Sequence, residues 1–104
     1  MKDEKAEAAT FEVLAPARAR VAGALGFHTV TALLPVGSAA IRGENVGAID
    51  LSAVTSSDSA GLALLVEWLS VARADGRTLR YENVPAQLHQ LGALSDVDGL
   101  IAAA

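Results

Sequence analysis

The sequence predicts an α/β domain in which a mixed sheet of four to five strands carries about four helices. Three observations predict this class. Two alternating segments meet at Pro16, strand-like and helix-like segments then succeed one another twice, and 104 residues suffice for one core and not two. The two strand-helix-strand successions call for parallel neighbours joined by right-handed crossovers, whereas the opening pair is antiparallel.

Residues 1–9 are charged and small, lack the apolar stretch of a signal peptide, and read as a disordered tail ahead of a domain over 10–104. Thr10 to Leu14 and Arg18 to Leu25 are expected to form a hairpin. Ala19, Val21, Gly23 and Leu25 alternate with Arg18, Arg20, Ala22 and Ala24, the period of a strand with one face in water. After Gly26, Val30, Leu33, Leu34 and Ile41 follow helical spacing. Pro35 falls inside that pattern and lacks an amide donor, so a kinked or divided helix is expected.

Val46 to Leu51 is a short apolar run that reads as a strand buried on both faces. Gly61 to Ala74 has helical length and spacing and stops at Asp75-Gly76. Thr78 to Glu82 reads as a short strand. Asn83 is a candidate cap, with Pro85 in the first turn of a helix that places Leu88, Leu91 and Leu94 on one side. Ser95 and Asp98 have capping-box spacing ahead of Leu100 and Ile101, which predicts a short last helix.

Composition narrows the function classes. The absence of cysteine removes disulfides, thiolate metal sites and thiol catalysis, and fits a reducing, cytoplasmic compartment. The longest uncharged run, Val21 to Ile41, is interrupted by Gly23, Gly26, Pro35 and Gly37, so no segment is expected to span a bilayer, which takes roughly 20 predominantly apolar residues. A net charge of -4 with scattered basic residues argues against nucleic-acid binding. His28 and His89 lie far apart in sequence, without cysteine or a nearby carboxylate pair, so no metal site is expected. Asp50 and Asp58 stand at a strand and a helix start, where carboxylates commonly cap, and no nucleophile-base pair or phosphate loop accompanies them. The reading is of a protein that is not an enzyme and has no cofactor.

Attention falls on the serine cluster at the mouth of the most apolar helix, Ser56, Ser57, Asp58 and Ser59, followed by Ala60 and Gly61. Asp58 or Ser57 is a candidate N-cap, worth about 1 kcal/mol, which would fix where Ser59 points. The apolar arc of the following helix covers more than half its circumference, too much for one sheet-facing stripe. Leu64, Trp68 and Val71 lie along one edge of that arc and are the candidate partner-binding residues; cover by a neighbouring helix is the alternative.

The stretch I-D-L-S-A-V-T-S-S-D-S-A-G-L-A-L-L, Ile49 to Leu65, resembles the signature of STAS domains, in which a strand leads through a short loop into Asp-Ser-x-Gly-Leu and a helix. The resemblance extends over nearly the whole chain after the tail. Within that superfamily, G-L-A-L-L (Gly61 to Leu65), the Leu33-Leu34-Pro35 break and N-V-P-A-Q-L-H-Q-L (Asn83 to Leu91) look most like the MlaB-type subunit of phospholipid ABC transporters that maintain outer-membrane lipid asymmetry. That likeness implies an MlaF-like ATPase subunit as partner, in a complex with a permease at the inner membrane. The anti-sigma factor antagonist branch implies instead a partner kinase that phosphorylates the serine after the Asp, here Ser59. That branch usually continues Asp-Ser-Ser-Gly, and this chain has Ala60 at the second serine.

Overall fold

The structure, a computed structural model, describes residues 8–94. The element order is β1 (Ala9–Ala15), β2 (Arg18–Leu25), α1 (Phe27–Gly43), β3 (Ala48–Ser57), α2 (Ser59–Ala74), β4 (Arg80–Glu82) and α3 (Ala86–Leu94). Of the tail expected over 1–9, Ala9 instead opens β1 and residues 1–7 lie outside the described residues, as does the expected helix from Ser95.

The strands form one sheet in the order β1-β2-β3-β4. β1 pairs antiparallel with β2, and the parallel pairs β2-β3 and β3-β4 are the two predicted crossover units. Alternation sorts the residues of the sheet between its faces. Ala19, Val21, Ile49, Leu51 and Tyr81 are buried with the helices. Arg18, Arg20, Asp50 and Glu82, at the intervening positions, turn to the other face. There Arg18 bridges two strands to reach both oxygens of Glu82, at 2.5 and 3.1 Å, and Arg20 pairs with Glu12. These half-solvated pairs keep the open face polar and add little stability.

Of the kinked or divided helix expected at Pro35, the divided form is not adopted. The helix runs through the proline from Phe27 to Gly43. Its buried side, Leu33, Gly37, Ser38, Ala40 and Ile41, packs against α2, and that burial outweighs the roughly 3 kcal/mol that an interior proline costs. The Trp68 indole N–H donates to the Leu34 carbonyl at 3.2 Å, so α2 supplies a hydrogen bond to α1 beside the proline.

α2 ends as its sequence predicts. Gly76 takes a left-handed conformation, φ 70°, the Arg77 N–H reaches the Ala72 carbonyl at 2.8 Å, and the Gly76 N–H reaches Arg73 at 3.0 Å. This is a Schellman closure. The last strand is shorter than expected, Arg80–Glu82 in place of Thr78 to Glu82. Its Tyr81 is buried, donates to the Leu65 carbonyl at 2.6 Å, and has its pKa pushed well above the ordinary value by burial. Asn83 is not the cap of α3. It has φ 57° and its amide donates to Asp50, while Pro85 precedes α3 and its carbonyl accepts from Leu88 and His89.

Candidate functional site

The site is built where β2 and β3 end and α1 and α2 begin. Sequence reasoning stopped the third strand at Leu51, but β3 continues to Ser57, with Ala24 opposite Ser56 and Leu25 opposite Ser57. The expected serine loop is therefore a strand end, held in register by β2. The Asp58 N–H donates to the Leu25 carbonyl at 3.1 Å, and the chain turns directly into α2.

Asp58 is the N-cap. Its Oδ1 accepts from the Ala60 N–H at 2.8 Å and the Gly61 N–H at 3.3 Å, two of the amides that a helix start leaves unpaired. Ser57 is not the cap; it is buried, its hydroxyl donates to the Asp58 carbonyl at 3.2 Å, and its amide donates to Gln87 of α3 at 3.0 Å. Gly61 allows this compact corner, because a Cβ there would overlap Ser57 Oγ and stand 2.8 Å from Leu25 Cβ. Ser59, the first residue of α2, is exposed beside this rigid corner, with Ala60 half-buried behind it.

The expected partner-binding edge is corrected by burial. Trp68 is completely buried and Val71 is 8% exposed, so neither presents a side chain for docking, and Leu64, 4% exposed, offers only the floor of a furrow. Trp68 lies beneath α1, where the missing side chain of Gly37 leaves room for the indole, and it meets Phe11 edge-on with ring centres 5.5 Å apart. The neighbouring-helix alternative is the one the fold adopts.

An apolar surface beside the serine lies instead in a furrow between α1 and α2. Phe27, Val30, Thr31 and Leu34 form one wall, Ala60, Ala63 and Glu67 the other, and Leu64 the floor, around a cavity of about 560 Å³. Phe27 is 78% exposed and also borders Asp58, Ser59 and Ala60, so the furrow opens beside the serine. Sequence reasoning missed Phe27. Its signal was a large aromatic residue placed directly after Gly26, at the first position of a helix whose core-facing stripe does not need it.

Asp50 and Asp58 do not form a catalytic pair. They stand near opposite ends of β3, separated by eight residues of extended chain, roughly 25 Å. Asp50 accepts from the Asn83 amide at 2.9 Å and from the Ser52 N–H and hydroxyl at 3.0 Å, and these bonds, with that to Asn83 foremost, hold its pKa below the ordinary 3.8. A depressed folded-state pKa means that the unfolded chain binds more protons between the two values, so this contribution is complete above about pH 4 and disappears as pH falls through the folded value. Asp50→Asn should accordingly flatten the acid limb of a plot of melting temperature against pH below pH 4, which thermal scans by circular dichroism would measure. An unchanged limb would remove Asp50 from the acid transition. His28, in the first turn of α1, is exposed, and His89 lies in α3. Among the described residues no helix is long and apolar enough to cross a membrane.

Comparison with known proteins identifies the architecture. No curated protein matches the chain. The solved structure of the anti-sigma factor antagonist SpoIIAA in its unphosphorylated form is similar with a TM-score of 0.70 at 18% identity, covering 89% of this chain and 84% of that one, a likeness of fold. The family model described as "Mlab, STAS domain" matches residues 11–102, from within β1 past the end of α3 and across the whole Asp58–Gly61 corner. By that match the chain belongs to the MlaB-type STAS domain family.

Proposed function

We propose that the protein is a non-catalytic cytoplasmic subunit that binds the ATPase of an Mla-type phospholipid ABC transporter and stabilises it or tunes its ATP hydrolysis. Through that ATPase and its permease it is peripheral to the inner membrane and serves outer-membrane lipid asymmetry. The observation that carries this reading is the exposed Ser59 at the capped start of α2, beside the exposed Phe27, in a domain of MlaB type. The corner is rigid and apolar on one side and offers a hydroxyl on the other, as suits protein recognition.

A negative charge at Ser59 is compatible with the helix start, whose macrodipole is positive, so Ser59→Glu leaves the fold intact. The same charge at the centre of a docked surface is desolvated without a partner. We expect Ser59→Glu to weaken capture of the purified ATPase subunit at least about tenfold, with an unchanged circular dichroism spectrum. Wild-type binding retained in this variant would remove Ser59 from the interface.

The exposure of the Ser59 hydroxyl also favours a second reading, an anti-sigma factor antagonist switched by phosphorylation at Ser59. Incubation with a cognate serine kinase and ATP, followed by intact mass measurement, tests it. An unmodified mass refutes it.

A further inference from the structure

We infer that the furrow between α1 and α2 receives an apolar helix of the partner ATPase that brings a lysine or arginine against Glu67; the inference rests on the ATPase-binding reading above. Among the described residues that line the furrow Glu67 alone is charged, and it shares the furrow with Phe27, Val30 and Leu34 over an apolar floor at Leu64. Like Glu44 at the end of α1, and unlike the other carboxylates among the described residues, it has no partner for its side chain. Glu12 and Glu82 pair with arginines, Asp75 with Arg77, Asp50 binds Ser52 and Asn83, and Asp58 caps α2. Glu67 has no such partner, and on α2 neither the preceding turn nor the following one places a basic residue three or four positions away.

The chemistry of an occupant follows from this arrangement. Any segment that covers the apolar walls also takes water away from the Glu67 carboxylate, and an uncompensated buried charge opposes docking strongly. A cation on the partner removes that opposition. The walls follow helical spacing, 27, 30, 31 and 34 on α1 and 60, 63, 64 and 67 on α2, so the furrow is about 10 Å long from Ala60 to Glu67. Two turns of a helix fill that length, with small or aliphatic side chains over Leu64 and the basic residue at the end remote from Ser59.

The experiment is calorimetric titration of the purified ATPase subunit into the full chain at two salt concentrations, for wild type, Glu67→Gln, Glu67→Lys and Ser59→Glu. Glu67 is exposed, so its variants are expected to keep the wild-type melting temperature. The expected result is binding about threefold to tenfold weaker for Glu67→Gln, weaker still for Glu67→Lys, and a reduced salt dependence in both. Unchanged affinity in both Glu67 variants, with Ser59→Glu still weakened, overturns the furrow assignment and leaves the ATPase reading standing. Failure of the wild type to bind removes both. Self-association of the wild type that Glu67→Lys abolishes, read by light scattering, makes a second copy of the chain the occupant and also overturns the assignment.

Discussion

Trp68→Ala is expected to lower the unfolding free energy by about 3–5 kcal/mol, the range for removing a large aromatic from a core. Trp68 is wholly buried and is the largest of the fully buried side chains. Its loss opens a cavity between α1 and α2, removes the edge-on contact with Phe11 and leaves the Leu34 carbonyl without the indole donor. A domain of this size has about 5–15 kcal/mol in all, so the melting temperature should fall by more than about 10 °C. Urea titration followed by far-UV circular dichroism measures the effect. A change under about 1 kcal/mol would contradict the burial described above and return Trp68 to the surface.

Gly61→Ala is the second large effect, about 1–3 kcal/mol or more, because it overfills the tightest corner of the site. The added methyl would collide with Ser57 Oγ and Leu25 Cβ, and the Leu25 carbonyl lies 3.2 Å away, so rotation of one side chain cannot relieve all three contacts. The first turn of α2 must move outward from β2, carrying Ser59 with it. Two measurements separate the consequences: the urea midpoint falls, and ATPase capture weakens even at temperatures where the variant is fully folded. Gly43→Ala is the control. A Cβ there meets nothing within 4 Å, and the better helix propensity of alanine leaves stability unchanged or raises it by up to about 1 kcal/mol. Equal losses at the two glycines would sink the close-packing argument.

Much of the fold was legible because local pattern and tertiary structure agree. The alternation from Arg18 to Leu25 marks a sheet with one solvated face, and Asp75-Gly76 marks the end of α2, as found. Disagreements arose where a neighbouring element overrides local chemistry. Ser52 to Ser57 is polar enough to suggest a loop, yet the ladder with β2 and the bond from Ser57 to Gln87 satisfy its backbone and hold it extended. Pro35 signals a break that packing against α2 prevents. The helical spacing of α2 correctly shows two apolar sides, one more than a sheet requires. It does not say whether the second side meets this chain or another. Gly37, a small residue on the buried side of α1, held the answer, since only there can a helix approach close enough to enclose an indole. The site was legible in part: Asp58 as a cap candidate and Ser59 at the helix start were readable from residue types, whereas the furrow depends on how two helices lean together.

The sheet order has a consequence for how the chain is made. Each strand pairs with the one before it in sequence, so every β-segment leaving the ribosome finds its docking edge already synthesised. The hairpin of β1 and β2 is complete once Leu25 is made, and β3 needs only the intervening α1 to reach it. Among the described strands assembly can follow the direction of translation, each new strand docking on one that precedes it in sequence.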